Sequence, residues 1–245
     1  MGEIRYICIA MNQHSVNGNI NQLATRPVGR LLWDYSLPAV VGMLVMSLYN
    51  VIDRIFIGRG VGADAIAGLA ITFPVMNVAA ALGVLIGAGG ASRTSIMLGQ
   101  RDLRGAEQVL GNSLVLILIN ATVYLTCFAV WLDDILIAFG ASHATLPYAR
   151  DFMLYILPGM LMMNISFSFN NIMRASGYPM RAMVTMFIGA GVNVVLAPMF
   201  IFVLGWGIKG AAIATDIAMT VSAIFVMWHF FMPDSTVRFK RGIYR

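Results

Sequence analysis

The apolar positions of this chain fall into six long runs, near residues 35–57, 66–92, 110–132, 147–169, 182–204 and 209–232. Each run is long enough to cross about 30 Å of hydrocarbon, which takes about 20 helical residues. The pattern predicts an all-α membrane protein with six transmembrane helices. The second run is rich in small residues, including Ala79, Ala80, Ala81, Gly83, Gly87, Gly89 and Gly90. Small residues let neighbouring helices approach closely in lipid. Pro38, Pro74, Pro158 and Pro198 fall inside or at the ends of runs. Each frees a backbone carbonyl, tolerated where a neighbour or cavity water satisfies it.

The flanks are polar. Residues 1–30 carry Asn12, Gln13, Asn17, Asn19, Asn21 and Gln22 and do not read as a signal peptide. Met11 is an alternative start. The chain divides into a polar N-terminal tail (1–30), a six-helix region (31–232) and a basic tail (233–245) expected in the cytoplasm.

Composition sharpens the class. The chain is 59% apolar and 11% charged, against about 45–50% and about 25% for soluble domains. Lys and Arg outnumber Asp and Glu by 16 to 11. These cations are scattered over loops, so they speak for topology and anionic lipid and against a nucleic-acid partner. Arg5, Arg26, Arg30, Arg93, Arg101, Arg104, Arg174, Arg181, Arg238, Lys240, Arg241 and Arg245 fall on one side of the six spans. Only Arg54, Arg59, Arg150 and Lys209 fall on the other. By the positive-inside rule both termini are cytoplasmic, in an inner membrane if the source is bacterial.

Candidate chemistry lies in the polar residues inside spans. Asp53 sits in the outer part of the first run. A carboxylate there costs roughly 2.5–3.5 kcal/mol on insertion scales unless paired, hydrated or protonated, so it marks an ion or proton pathway. Asn164, Asn170 and Asn171 lie near the end of the fourth run, Asn193 midway in the fifth, and Thr215 and Asp216 early in the sixth. Carboxylate, amide and hydroxyl oxygens suit a hard cation such as Na⁺. For a lone Asn or Thr, a hydrogen bond to a neighbouring helix is the simpler reading. Arg174 reads most simply as a cytoplasmic anchor, and Asp64 as a helix cap. The 18 methionines suit either an adaptable drug pocket or helix packing.

Other chemistries find less support. Cys8 and Cys127, and His14, His143 and His229, have no metal-ligand spacing. Ser176 and His229 invite comparison with an intramembrane serine protease. However, Arg174-Ala-Ser-Gly177 lacks the Gly-x-Ser-Gly pattern, and His229, near the far end of the sixth run, has no orienting partner in sequence. No enzymatic activity and no cofactor are expected.

Four segments together carry a family resemblance. Tyr49-Asn-Val-Ile-Asp-Arg-Ile-Phe-Ile-Gly-Arg-Gly-Val-Gly62 resembles the first-helix motif of the MATE multidrug and toxin extrusion exporters. So do Leu98-Gly-Gln-Arg-Asp-Leu-Arg-Gly-Ala-Glu-Gln-Val-Leu110 and Arg174-Ala-Ser-Gly-Tyr-Pro179. The fourth is Asn193-Val-Val-Leu-Ala-Pro-Met-Phe-Ile-Phe202 followed by Gly205-Trp-Gly-Ile-Lys-Gly-Ala-Ala-Ile-Ala-Thr215. The resemblance runs from about residue 28 to 232 and is closest in tone to the bacterial DinF-like and MepA-like branch.

This resemblance implies an antiporter in which H⁺ or Na⁺ entry drives export of organic cations or other drugs. It matches Asp53 and Asn193 to coupling-cation positions, with Na⁺ as one candidate ion there. It places Asn170, Arg174 and Thr215 in the substrate cavity. Two departures stand out. Ala197 occupies a position where many members have Asp, and one helix turn from Asn193 that Asp would share its cavity face. The family also has two six-helix lobes, and this chain supplies the N-terminal one. The sequence therefore reads as a truncated product or fragment lacking a C-terminal lobe, or as a half that pairs as a homodimer. The alternative function is a half-size regulatory membrane protein that keeps the fold without transporting.

Overall fold

The computed structural model describes residues 27–233 and 235–239. The tail carrying Cys8 and His14 lies outside them, as do Lys240, Arg241 and Arg245. Six helices follow one another: α1 (Val28–Gly60), α2 (Ala63–Gly99), α3 (Leu103–Ala138), α4 (Leu146–Ala175), α5 (Pro179–Pro198) and α6 (Gly207–Phe231). All six are long and apolar enough to cross a membrane, and no strand occurs among the described residues. The helices match the six apolar runs in order but overshoot most of them. Hydropathy marks only the lipid-facing stretch, whereas backbone hydrogen bonding carries a helix on until a cap or breaker stops it.

The stops are local. Asp102 caps α3 by accepting the Gly105 N–H at 2.9 Å. Pro179 opens α5 after Gly177, whose φ of 95° makes the tight α4–α5 turn. Pro198 ends the α-helical part of α5, and the chain continues through a π-helical turn, Met199–Val203. The cap before α2 falls on Gly62, with φ 116°, so Asp64 lies inside the helix and is not its cap.

Helix α4 is the hub, packed along α2 on one side and α6 on the other. Helix α1 lies along α5 and meets α2 and α6 only in places. The α2–α4 seam uses the small residues. A methyl at Gly83 would collide with Asn164, and one at Gly87 would come within 2.6 Å of the Ser168 Cα. Ser168 Oγ donates to the Gly83 carbonyl at 2.6 Å. Asn164 is fully buried and donates to Tyr124 Oη on α3 at 3.4 Å and to Met160 O at 3.0 Å.

Two apolar cores stack along the bundle. One, toward the Gly60 end, gathers Ile57, Phe128, Ile156, Met160, Ala197 and Ile201. The other, toward the Val28 end, gathers Leu110, Phe169, Met173, Val226 and Phe230. Large apolar side chains such as Leu44, Leu85, Ile119, Val130, Ile224 and Trp228 point outward, as expected of helices solvated by hydrocarbon rather than water.

The described part of the segment after α6 packs on the bundle. Ser235, Thr236 and Val237 are buried, and Phe239 packs on Phe169, Phe230 and Phe231. The basic composition of the tail hides this small docked stretch.

Candidate functional site

Helices α1, α2, α4 and α6 surround a recess of about 550 Å³. From α1 it takes Met46, Tyr49, Asn50 and Asp53; from α2, Leu69, Thr72, Phe73, Met76 and Asn77. Met163 and Phe167 of α4 and Thr215 and Met219 of α6 add to the wall. On α1 and on α2 the lining residues recur at three and four positions, one face of each helix. Arg54 stacks over the Phe73 ring at 4.8 Å from its centroid, bridging the narrow contact between α1 and α2.

A smaller chamber of about 60 Å³ continues from this recess. It shares Met46, Tyr49, Met163, Phe167, Thr215 and Met219 with the larger one and adds Ser166, Asn170, Met186 and Ser222. Tyr49 and Thr215 thus stand at the junction. Ser166 and Ser222 hydroxyls pair across α4 and α6 at 2.9 Å. Methionines reach the space from α1, α2, α4, α5 and α6, a lining whose rotamers adapt to ligand shape.

Asp53 is the one carboxylate on either wall. Its Oδ1 is buried and has no hydrogen-bond partner. Burying an oxygen of this kind unpaired is costly, so a cation or proton arriving there would be favoured.

The other sequence-derived candidates take different places. Thr215 lines both chambers. Asn193 is almost wholly buried on α5 and donates through Nδ2 to Thr215 Oγ1 at 2.9 Å, so it stands behind Thr215 rather than on the wall. Asn170 lines the smaller chamber, and its Nδ2 donates to the Ala182 carbonyl of α5 at 2.8 Å. Arg174 turns back on Asn170, donating from Nε at 3.0 Å and from a terminal nitrogen at 2.6 Å to the same Oδ1. It braces the end of α4 against α5 and lies outside both chamber walls. Asn164 and Asn171 serve helix packing, the latter through its own Phe167 carbonyl. Ala197 is fully buried in the apolar core, not on the cavity face.

Sequence reasoning missed Tyr49, Asn50, Thr72 and Asn77. The available signal was their spacing: Met46, Tyr49, Asn50 and Asp53 share one face of α1, and Leu69, Thr72, Phe73, Met76 and Asn77 one face of α2. Ser176 and His229 do not meet. Ser176 donates to Ile172 O, and His229 lies between Arg181 and Ser235.

Known proteins resemble this chain in sequence and in fold. The chain is 29% identical over 215 residues to the multidrug export protein MepA of Staphylococcus haemolyticus, covering 86% of this chain and 47% of that protein. It is 27% identical over 197 residues to a FAD transporter of Shewanella oneidensis, covering 79% of this chain and 43% of that one. Among solved structures, a MATE transporter in a straight conformation superposes with a TM-score of 0.85 at 31% identity, over 91% of this chain and 50% of that one. The chain thus spans about half the length of the curated relatives it matches. The MatE family profile matches residues 38–199. With its six helices laid out as one lobe of a two-lobe MATE transporter, the chain belongs to the MatE family.

Proposed function

We propose that this chain is the N-terminal lobe of a cation-coupled exporter of drugs or organic cations. The observation that carries the proposal is Asp53: a carboxylate with a buried, unpartnered oxygen on the wall of a recess large enough for a small organic molecule. A cationic substrate and the coupling ion would compete for this one negative charge. Occupation of Asp53 by H⁺ or Na⁺ displaces the substrate, and an inward cation gradient makes the cycle directional. Thr215, at the junction of the two chambers, offers a hydroxyl oxygen to the ion. Asn193 orients that hydroxyl from behind. Asn170 supplies polar contact to substrate in the smaller chamber, and Arg174 holds Asn170 in place.

The recess is open where α1 and α2 barely meet, and a second lobe would close it. That lobe is either a C-terminal six-helix unit or a second copy of this chain. The membrane is the inner (plasma) membrane, with both ends of the bundle's chain in the cytoplasm. The relatives' roles, multidrug export and FAD transport, favour an organic substrate.

The test is drug efflux from energised cells of a pump-deficient host, with the chain expressed alone and together with the C-terminal lobe of a relative. Efflux should appear with the second lobe and be lost in Asp53→Asn, with membrane insertion intact. Wild-type efflux in Asp53→Asn would reject Asp53 as the coupling site. Efflux from the chain alone, with crosslinks across the α1–α2 opening, would assign the second lobe to a second copy.

A further inference from the structure

Asp216 is a carboxylate within a span that belongs to neither chamber wall. It follows Thr215 directly, and the helical step turns it from the recess toward α4. There it lies against the backbone. A methyl on Gly159 would collide with the Asp216 carboxylate and come within 3.0 Å of its Cα. Asp216 Oδ1 is buried and reaches no hydrogen-bond partner. Gly159 follows Pro158, which lacks an N–H and so leaves the Leu154 carbonyl without its helical donor. The carboxylate therefore sits beside a stretch of α4 where one backbone carbonyl lacks its helical donor.

A polar seam connects this place to the Gly60 end of the bundle. Lys209 stands two helical turns before Asp216 on the same side of α6, roughly 10 Å away along the axis. On α4, Asp151, Tyr155 and Gly159 recur every four residues and face it. Lys209 Nζ bonds Asp151 Oδ2 at 3.2 Å and lies 5.7 Å from the Tyr155 ring centroid. Both side chains of that ion pair are more than 40% exposed. On the recess side, the charged or titratable groups at this level are Tyr49, Asp53 and Arg54 of α1. Residues 182–203, forming most of α5 and the π-helical turn, contain no Asp, Glu, Lys, Arg, His or Tyr.

We infer that Asp216 is a second proton-binding site of this lobe, loaded along the α4–α6 seam from the Lys209–Asp151 end and separate from the Asp53 recess. A bound proton removes a charge that the apolar surroundings disfavour and that a Gly159 backbone hydrogen bond supports, and turns the unpartnered oxygen into a donor. Releasing it restores a negative charge at the closest approach of α4 and α6. The neighbouring residue, Thr215, accepts the Asn193 hydrogen bond, so the charge state of Asp216 reaches the recess wall through one peptide unit. The inference does not rest on the role given to Asp53.

The experiment is carbodiimide labelling of the full chain in lipid nanodiscs. Dicyclohexylcarbodiimide enters apolar phases and adds to protonated carboxylic acids, giving a stable N-acylurea that peptide mass spectrometry locates. Asp216 should be labelled at acidic pH, lose its label at alkaline pH, and behave identically in Asp53→Asn. Label that is absent at every pH, constant with pH, or lost in Asp53→Asn would overturn the inference. Label on Asp216 with none on Asp53 would uphold it while removing the Asp53 reading. An infrared carboxylic C=O band that shifts in Asp216→Glu, with the same pH dependence as the label, is the second readout. A pH-titrating band that is unaltered in Asp216→Glu would also overturn the site.

Discussion

Asn193 and Thr215, on α5 and α6, form a single donor–acceptor chain: Asn193 Nδ2 donates to Thr215 Oγ1 at 2.9 Å, and that hydroxyl donates to the Ala211 carbonyl at 3.0 Å. The first link joins two helices and the second stays within α6, so the Thr215 hydroxyl has one fixed direction. A fixed hydroxyl on a recess wall, with the Tyr49 side chain beside it, keeps one orientation toward whatever enters.

Thr215→Val keeps the side-chain volume and removes the acceptor. The buried Asn193 amide is then left unpaired, at a cost of about 1–3 kcal/mol. The thermal midpoint of the purified chain in detergent should fall for Thr215→Val and stay near the parent for Thr215→Ser. Equal midpoints for all three proteins would show that the α5–α6 link contributes nothing to stability.

The α2–α4 seam makes a sharper contrast. Gly83→Ala places a methyl into Asn164, and Gly87→Ala one against the Ser168 backbone, whereas Gly89 has nothing within 4 Å. Overpacking of this kind costs about 1–3 kcal/mol. Gly83→Ala and Gly87→Ala should lower folded yield and melting midpoint, and Gly89→Ala should leave both unchanged or raise them. A Gly89→Ala variant as damaged as Gly83→Ala would mean that these glycines matter for something other than space.

The limits of sequence reading follow from the same contrast. Apolar run length marked all six spans because hydrocarbon thickness sets it directly. Asp53 was legible because a carboxylate in an apolar run is costly anywhere along it. Which glycines touch another helix was not, since Gly87 and Gly89 stand two residues apart in one small-residue run and only the direction each faces decides the contact. Ala197 failed for a related reason. Its spacing from Asn193 placed both residues on one helix face, but that face lines the smaller chamber only as far as Met186 and Ala190 and beyond them packs into α6 and the apolar core.

Ala197→Asp therefore puts a carboxylate among Ile57, Ile201 and their neighbours. With no partner there, it should lower the melting midpoint and the yield of inserted protein, without giving the recess a second charge. Ala197→Ser, which can donate to its own helix, should be milder. Unchanged stability in Ala197→Asp together with tighter binding of a cationic dye would place position 197 on the wall after all.

The docked segment after α6 has its own lock. Arg181 can only donate, so its 3.1 Å contact makes His229 Nδ1 the acceptor and leaves the proton on Nε2, facing Ser235 Oγ at 3.5 Å. Ser235 Oγ in turn donates to the Val237 carbonyl at 2.7 Å. His229→Phe keeps the ring against Tyr178 and breaks both polar contacts. Limited proteolysis should then cut within 235–239 faster than in the parent, while cleavage in the α2–α3 turn stays the same. Equal rates at both places would show that the apolar packing of Val237 and Phe239 holds the segment without His229.

Topology is the prediction on which the direction of every proposed pathway depends. The α2–α3 and α4–α5 turns lie at the end of the bundle marked by Val28, and the α1–α2, α3–α4 and α5–α6 turns lie at the other, as six successive spans require. The first set carries Arg93, Arg101, Arg104, Arg174 and Arg181, so the positive-inside rule puts that end in the cytoplasm. With Cys8 and Cys127 replaced, single cysteines at exposed Gln100 and Met180 should resist a membrane-impermeant maleimide in intact cells and react after permeabilisation. Cysteines at exposed Ser142 and His143 should react without permeabilisation. The reverse pattern would turn the lobe over. The Lys209–Asp151 end of the α4–α6 seam would then face the cytoplasm, and protons would reach Asp216 from inside the cell.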